Sequence, residues 1–469
     1  MEKGQIIELY IEDMSSDGNG IGKTEGQVVF VDGCVLGDKV RAKITKAKKN
    51  YAFADCLKIL GPSDKRNEGF CQFSKDCGGC PLGDLRYEEQ LELKARWVKD
   101  KLTRIGGLED PVMRPIIGMD EPLRYRNKAV FAVSKNGEIG FVRKKSNDVV
   151  DCPDCRIQSE KAMGIAEGLY QYLHEKNLKG TVDKLMVRTA PGTGEMMAVI
   201  KTKNKGKLPD LELLAGLLDE GSDFSLESIY IDDKCIAGKP VVTEETGGLK
   251  FEISPESFYQ VNSEQMLKLY GKAMEYADLK GGETVLDLYC GVGTIGLFAA
   301  KEMEDKGRVI GIESVKPAVI DANRNSVING MVSTRYLTGK AEDILPAIMG
   351  IKPFMGYNEV NELVEKEPPL TVDHADVVFL DPPRAGCEEE LLSAVVQAEP
   401  DRIVYVSCDP ATLARDIKYL TENGFEFKEA TPVDMFPHTG HVETVCCLYH
   451  QKKDFISVQY EPKNDGYLK

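Results

Sequence analysis

A glycine-rich turn between an apolar run and a helical pattern constrains the fold of the C-terminal half. Residues 284–289 (TVLDLY) predict a buried strand, which residues 290–296 (CGVGTIG) connect to a helix from about Leu297. Glycines in such a turn let the backbone approach a bound nucleotide and let the helix pack closely on the strand. The pattern predicts a nucleotide-binding α/β unit, although the turn alone fits a dehydrogenase equally well.

Two further apolar runs continue this alternation of strands and helices. Residues 308–313 predict a second strand that ends in Glu313, a position from which a carboxylate accepts hydrogen bonds from ribose hydroxyls. Residues 376–380 predict a third strand, which runs into Asp381-Pro382-Pro383-Arg384. A loop of this composition resembles those of S-adenosylmethionine-dependent methyltransferases that act on nucleobases.

Cys408 lies where a predicted strand ends and a predicted helix begins. Residues 403–406 are β-branched or aromatic, and Asp409-Pro410 is a typical start signal for the helix that follows. Free N–H groups and the positive end of the helix dipole favour a thiolate at such a position, so Cys408 suits a nucleophile. The alternative is a small apolar residue at a strand end, since buried cysteines are common.

The first 60 residues predict a small β-barrel of the OB type, because several short β-rich runs alternate with turn clusters. Six basic residues and no acidic residue occur between Lys39 and Lys49. Such a run is either a solvated face or a surface that follows a nucleic-acid backbone. The Gly-rich turn at residues 17–22 and the stretch at residues 33–40 resemble those of a TRAM domain, a small RNA-binding barrel of RNA-modifying enzymes.

Three cysteines form a Cys-x5-Cys-x2-Cys arrangement among glycine and proline turns, at positions 71, 77 and 80. Thiolates bind soft metals, and tight turns let several of them approach one centre. Cys152 and Cys155 are the candidates for a fourth ligand. The alternatives are a four-cysteine zinc site and chance proximity, but a grouping of three plus one favours an iron–sulfur cluster.

Net charge, the lack of an early hydrophobic segment and the cysteine content indicate the compartment and the kind of RNA contact that we expect. A net charge of −16 argues against general coating of nucleic acid, so an RNA contact must come from local basic patches. We find no early hydrophobic segment of signal-peptide or membrane length, and thirteen cysteines in such a chain are not expected to form disulfides. We therefore expect a cytoplasmic protein without a membrane partner, and a monomer.

Five motifs follow one another in the order and spacing of a single family. They are residues 258–262 (FYQVN), 287–293 (DLYCGVG), 381–384 (DPPR), 407–410 (SCDP) and 441–445 (HVETV). With them, the chain resembles the RNA uracil-5-methyltransferase family over essentially its whole length. The resemblance implies S-adenosyl-L-methionine bound by Gln260, Tyr289, Glu313 and Asp381. It also implies a four-iron, four-sulfur cluster held by Cys71, Cys77, Cys80 and Cys155, with Cys152 as the competing fourth ligand.

The resulting expectation for the fold is a multidomain α/β plus β protein. An OB-like TRAM barrel would span residues 1–60, a β-rich central domain with the cluster residues 61–250, and a Rossmann-like methyltransferase domain residues 251–469. Apolar residues at helical spacing predict a helix over residues 86–107, which we expect to pack on the catalytic domain.

The chemistry of uracil explains why this family needs a thiol and a base. Uracil C5 is a weak nucleophile, and addition of a thiolate to C6 gives it carbanion character. Cys408 would supply the thiolate, and Glu443 would afterwards remove the C5 proton. The target uridine must leave its stack to reach a buried thiol, which implies base flipping or a single-stranded loop.

These expectations lead to three functional hypotheses. The first is a 5-methyluridine methyltransferase that acts on 23S rRNA, because a TRAM-like domain with an iron–sulfur site resembles the rRNA members of the family. The second is the same reaction on the T-loop of tRNA. The third is a redox-sensing RNA-binding protein without catalysis.

Overall fold

Three large β-sheets follow one another along the chain in the computed structural model, which describes residues 1–219, 225–357 and 363–451. The C-terminal part of the range expected for the catalytic domain, residues 452–469, lies outside the described residues. None of the helices in the described ranges is long and apolar enough to cross a membrane.

The first sheet has six strands in the order β1-β5-β6-β4-β3-β2. Its strands are β1 (Ile6–Tyr10), β2 (Asp13–Met14), β3 (Gly20–Thr24), β4 (Gln27–Asp32), β5 (Lys39–Ala47) and β6 (Tyr51–Gly61). Buried and exposed positions alternate in β5, so that Val40, Ala42 and Ile44 enter a small core while the lysines and arginine between them face outward. The alternating pattern of the sequence therefore produces a sheet with one apolar and one basic face.

The second sheet has seven strands in the order β13-β12-β11-β10-β7-β8-β9. Its strands are β7 (Lys128–Val133), β8 (Ile139–Val142), β9 (Val149–Asp151), β10 (Val182–Ala190), β11 (Glu195–Thr202), β12 (Ser225–Ile231) and β13 (Lys234–Gly238). Two helices pack on this sheet, α2 (Glu160–Glu175) and α3 (Leu211–Asp219). A separate hairpin follows, made of β14 (Val242–Thr246) and β15 (Leu249–Ile253).

The third sheet is the α/β unit that the glycine-rich turn predicts, in the order β18-β17-β16-β21-β22-β24-β23. Its strands are β16 (Thr284–Leu288), β17 (Arg308–Glu313), β18 (Thr334–Thr338), β21 (Val377–Leu380), β22 (Arg402–Ser407), β23 (Phe425–Val433) and β24 (Glu443–His450). Its helices are α4 (Ser263–Ala277), α5 (Thr294–Glu302), α6 (Lys316–Ile328), α7 (Ala341–Ile348), α8 (Glu389–Ala398) and α9 (Pro410–Glu422). Between α7 and β21, β19 (Phe354–Tyr357) pairs with β20 (Leu363–Lys366).

Helix α1 (Tyr87–Arg104) connects the first sheet with the third. Val98 and Leu102 are fully buried in the core beside β16 and β21, and the helix packs against α9. On its other side, the Trp97 indole donates a hydrogen bond of 3.2 Å to the Met14 carbonyl. The helix is therefore held by contacts on both sides, with the segment of the first sheet and with the α/β unit of the third.

A buried ion pair fixes α1 to the loop between β23 and β24. Lys94 Nζ lies 2.6 Å from Asp434 Oδ1 and also donates to the Phe436 carbonyl at 3.1 Å, and neither charged side chain is exposed to solvent. One turn earlier, Gln90 contacts both the backbone and the ring of His438. These contacts determine the path of the loop that leads into β24.

Replacement of Lys94 by methionine tests the importance of this pair. We expect Lys94→Met to lower the free energy of unfolding by about 3–5 kcal/mol, because it leaves the Asp434 charge buried without its partner. Chemical denaturation followed by tryptophan fluorescence measures the change, since Trp97 lies on the same helix.

The matched control is Lys99→Met, which removes an exposed ion pair with Asp110 from the same helix. We expect that change to stay within about 0.5 kcal/mol. Equal losses in the two variants would contradict a special role of the buried pair.

Candidate active site

Five residues of the predicted site meet at one edge of the third sheet. The carboxyl ends of parallel strands share an edge, and four of the residues lie at or just after the ends of such strands. They are Tyr289 after β16, Glu313 at the end of β17, Asp381 after β21 and Cys408 after β22. Strand β24 runs in the opposite direction beside β22, so its first residue, Glu443, lies at the same edge.

The pairing of β22 with β24 brings Cys408 near Glu443. Ser407 is the last residue of β22 and pairs with Thr444, and Cys408 and Glu443 are the residues that adjoin this last pair. The Glu443 charge acts on the Cys408 thiol, which agrees with this proximity. The strand register therefore determines the separation of the predicted nucleophile and the predicted base.

Burial raises the pKa of two carboxyl groups at this edge, Glu443 and Asp381. Desolvation raises the pKa of Glu443 to about 8, and Asp381 raises it while the Arg384 guanidinium opposes the shift. Desolvation also raises the pKa of Asp381 to about 7. A carboxyl group with such a pKa is partly or mostly neutral near pH 7 and is able to exchange a proton there.

The pKa of Cys408 contradicts the expectation that its position favours the thiolate. Burial, followed by the carboxylates of Glu443 and Asp381, raises this pKa to about 12, against the opposing charge of Arg384. The helix N-terminus stabilises a Cys408 thiolate less than expected, because the Asp409 side chain already accepts hydrogen bonds from the N–H groups of Ala411 and Thr412. The thiol is therefore protonated in the absence of ligands.

The glycine-rich turn brings Glu313 to the backbone beside Tyr289. Glu313 Oε2 accepts a hydrogen bond of 3.2 Å from the Gly291 N–H, and Oε1 accepts one of 2.8 Å from Val315. Gly293 has a φ of +81°, and a Cβ atom there would lie 2.7 Å from the Tyr336 ring. A side chain at position 293 would thus meet both backbone strain and a collision.

Gln260 reaches the same region from the loop before α4. It is buried, its carbonyl accepts a hydrogen bond of 3.0 Å from Asn127 Nδ2, and its side chain contacts Tyr270. The preceding Phe258 is 64% exposed, which is unusual for a large apolar side chain beside a buried loop. Gln260 is therefore connected to this edge of the sheet by Tyr270, because the Asp381 charge raises the pKa of the Tyr270 hydroxyl.

Asp287, the fourth of the five residues of β16, is a buried acidic residue without a predicted role. It is fully buried, its Oδ2 accepts a hydrogen bond of 2.8 Å from the Gly296 N–H, and its Oδ1 has no partner in the described structure. Desolvation raises its pKa to about 7. The signal that was available is a lone acidic residue within an otherwise apolar strand.

The predicted metal ligands line one cavity of about 400 Å³ at the side of the second sheet. The cysteines that line it are Cys71, Cys77, Cys80, Cys152 and Cys155. Phe70, Phe73, Phe141 and Ile157 supply apolar walls. The Cys152 and Cys155 thiols lie within hydrogen-bond distance of each other, so that ionisation of one is coupled to the other.

The lining of this cavity fits a metal centre with several thiolate ligands. Thiolates bind soft metals, and five cysteines from two distant segments of the chain line the cavity. The cations Arg126, Lys128 and Arg156 also line the cavity, and desolvation with repulsion from Arg188 and Arg126 lowers the pKa of Lys128 to about 8.

Comparisons with known proteins agree with the motifs. The model of the tRNA (uracil-5-)-methyltransferase family matches residues 226–452, and that of the TRAM domain matches residues 1–57. An RNA methyltransferase from Clostridium tetani is 40% identical over 97% of this chain and 98% of its own length. One from Bacillus cereus is 38% identical over 96% of this chain and 98% of its own length.

A solved structure has the same fold over most of the chain. It is that of Pyrococcus abyssi tRNA (uracil-54, C5)-methyltransferase in complex with S-adenosyl-L-homocysteine. It is 27% identical, covers 94% of this chain and all of its own, and superposes with a TM-score of 0.71. These matches confirm the predicted family, the TRAM domain and the methyltransferase-like fold. The chain therefore belongs to the tRNA (uracil-5-)-methyltransferase family of RNA methyltransferases and carries a TRAM domain at its N-terminus.

Proposed function

We propose that this protein methylates C5 of a uridine in RNA, with Cys408 as the nucleophile and S-adenosyl-L-methionine as the methyl donor. The observation that carries the proposal is a thiol beside the last pair of β22 and β24, within reach of the charges of two buried carboxyl groups, Glu443 and Asp381. Uridine C5 methylation needs this combination of nucleophile and base. The S-adenosyl-L-homocysteine in the Pyrococcus structure supports the choice of donor.

The first step forms the bond between Cys408 Sγ and uracil C6. The thiol proton passes to solvent water, a lone pair of the resulting thiolate makes the new bond, and the electrons of the C5=C6 double bond move onto C5 and O4. Arg384 already lowers the pKa of Cys408, and the positive sulfonium of the methyl donor would lower it further. We infer that the donor must bind before the thiol becomes reactive.

The second step transfers the methyl group and regenerates the enzyme. C5 takes the methyl group, and S-adenosyl-L-homocysteine leaves with the electrons of the broken sulfur–carbon bond. Glu443 then accepts the C5 proton, and the C6–sulfur bond breaks as the C5=C6 double bond forms again. In this scheme Gln260, Tyr289, Glu313 and Asp381 hold the methyl donor, with Glu313 beside the backbone turn that would face its ribose.

We propose 23S rRNA as the substrate, on the resemblance of the TRAM barrel and cysteine cavity to the rRNA members of the family. The Pyrococcus structure is of an enzyme that acts on uracil 54 of tRNA, and this makes tRNA the competing substrate. Both proposals place the target uridine in the cleft between the sheets, where Arg384 and His441 lie 3.3 Å apart.

We also propose that Cys71, Cys77, Cys80 and Cys155 hold a four-iron, four-sulfur cluster. The gathering of these cysteines in one cavity with three cations supports a thiolate-ligated centre, and the grouping of three cysteines plus one supports an iron–sulfur cluster. When bound, the cluster would supply cross-links between two distant segments of the second domain. The methylation scheme contains no electron transfer, so its steps need only the protein side chains and the two substrates.

A covalent trap tests both the nucleophile and the substrate. The protein is incubated with S-adenosyl-L-methionine and cellular RNA that contains 5-fluorouridine, which has no C5 proton for Glu443 to remove. We expect a denaturation-stable adduct on Cys408, with 23S rRNA as the attached RNA. Peptide mass spectrometry and sequencing of the RNA identify the two partners.

The control is Cys408→Ser, for which we expect unchanged binding of the methyl donor and no adduct. If tRNA were the only RNA in the adducts, the substrate would be tRNA and not 23S rRNA, while the proposed mechanism would still hold. No adduct from a protein shown to bind both substrates would overturn the mechanism.

The raised pKa of Cys408 predicts slow alkylation at neutral pH. Because the thiol is protonated below a pKa of about 12, the thiolate fraction rises about tenfold with each pH unit between 7 and 10. We expect the rate of iodoacetamide modification at Cys408, measured by peptide mass spectrometry, to follow this slope without a plateau.

The matched comparison uses the methyl donor and its demethylated product, because the donor carries a positive charge on sulfur and the product does not. We expect S-adenosyl-L-methionine to speed alkylation relative to S-adenosyl-L-homocysteine, and Arg384→Gln to slow it. A plateau below pH 8 in the ligand-free protein would contradict the protonated resting state.

Single cysteine substitutions test the cluster. We expect anaerobically purified protein to show broad visible absorption and bound iron, and Cys71→Ser, Cys77→Ser, Cys80→Ser and Cys155→Ser each to lose both. Cys152→Ser is the matched control and keeps them. A colourless wild-type protein that contains zinc would refute the cluster. If Cys152→Ser lost the absorption and the iron while Cys155→Ser kept them, the fourth ligand would be Cys152 and not Cys155.

A further inference from the structure

Three aromatic side chains form a cluster on the outer face of the first sheet. Phe30 lies on β4, and Tyr51 and Phe53 lie on the neighbouring strand β6. The Phe30 and Phe53 rings stack with centroids 5.5 Å apart, and the Tyr51 ring meets them edge-on at 6.0 and 5.6 Å. We call these three residues the aromatic platform.

The platform is not part of the core of the barrel. Phe30 and Phe53 are paired positions of parallel strands, and the residues between the outward positions, such as Val29 and Ala52, fill the core instead. Tyr51 and Phe53 remain 39% and 36% exposed. Large aromatic side chains that stay on the surface beside one another are typical of binding sites.

Lysines surround the platform. Lys46 pairs with Phe53 across the sheet, and Lys48 and Lys49 lie in the turn that leads to Tyr51. All three lysines are exposed, and none forms an ion pair with a residue in the described ranges. Within a chain of net charge −16, this is a local positive patch around rings.

A cleft beside the platform extends to Arg384, near the candidate active site. Asp32 lies two residues after Phe30 on the same face of β4, and its carboxylate accepts a hydrogen bond of 3.0 Å from Lys145 Nζ. Asp32 and Lys145 line a cleft of about 530 Å³ that Arg384 and His441 also line. Arg384 is the cation whose charge acts on Cys408 and Glu443.

We propose that the aromatic platform stacks unpaired bases of the RNA that flank the target uridine, while Lys46, Lys48 and Lys49 hold the adjoining phosphates. The proposal rests on the proposed function in so far as it takes RNA as the substrate. Aromatic rings stack on bases of any sequence, and lysines follow the backbone, which together define a surface for single strands. The bases of a duplex are stacked on one another and do not offer their faces to the rings.

The first measurement is the affinity of the full-length protein for a fluorescein-labelled single-stranded oligouridine. We expect the double variant Tyr51→Leu/Phe53→Leu, which keeps apolar bulk and removes the rings, to weaken binding at least about fivefold. The conservative double variant Tyr51→Phe/Phe53→Tyr keeps the rings and should bind as the wild type does. Circular dichroism of each variant checks that the barrel is folded.

Tyr10 provides the matched control, because it is 59% exposed on β1 of the same sheet and is separated from the platform by β5. We expect Tyr10→Leu to leave the affinity unchanged. Equal weakening in Tyr10→Leu, or unchanged binding in the leucine double variant, would overturn the proposal.

Salt dependence separates the two parts of the surface. Lys48→Gln/Lys49→Gln should reduce the slope of log Kd against log salt, because phosphate contacts release counterions. The leucine double variant should weaken binding with the slope unchanged. A reduced slope in the leucine variant would mean that the rings only position the lysines and would contradict stacking.

The covalent trap distinguishes failure of this proposal from failure of the proposed function. If the wild type formed the adduct at Cys408 and the leucine double variant bound RNA as tightly as the wild type, the methyltransferase reaction would be supported and the stacking proposal would be wrong. Weaker binding in that variant without any adduct in the wild type would retain the RNA surface and overturn the reaction.

Discussion

The buried ion pair between Lys94 and Asp434 is the contact on which the assembly of the active site depends. It joins positions 340 residues apart and brings a helix from outside the methyltransferase domain to the loop that precedes β24. A buried charge is costly to leave without its partner, so the pair accepts few alternative arrangements. The loop that it holds contains His441 and leads to Glu443, the first residue of β24. The contact with α1 therefore helps to fix the position of the Glu443 side chain.

The electrostatic character of the site follows from the same burial. Asp381, Glu443 and Cys408 share one small region, in which Asp381 raises the pKa of Glu443 and both carboxylates raise the pKa of Cys408. A resting enzyme with a protonated thiol is protected from oxidation and alkylation. In the proposed scheme, the cationic methyl donor changes this balance, so that reactivity arises when the substrates are present.

Much of the methyltransferase domain was predictable because its information is local. Apolar runs, the glycine-rich turn and the motif order gave the strands, and the parallel arrangement of those strands brought Tyr289, Glu313 and Asp381 to one edge. The thiolate expectation for Cys408 failed because it considered only the helix that follows. The opposing carboxylates come from β21 and β24, and the capping side chain of Asp409 occupies the N–H groups. The aromatic platform was equally hidden, since Phe30 and Phe53 become neighbours only through strand pairing.

The pairing of β22 with β24 also determines which changes of length this region tolerates. Cys408 and Glu443 are separated in sequence by α9 and β23, but their spacing depends on the register of two strands and not on the chain between them. The turn at Gly424 faces open space and has room for additional residues. A slip of one residue within β24, in contrast, would turn Glu443 to the other face of the sheet. Insertions at this turn should therefore preserve the site, whereas a change of length within β24 should separate the thiol from the carboxyl group.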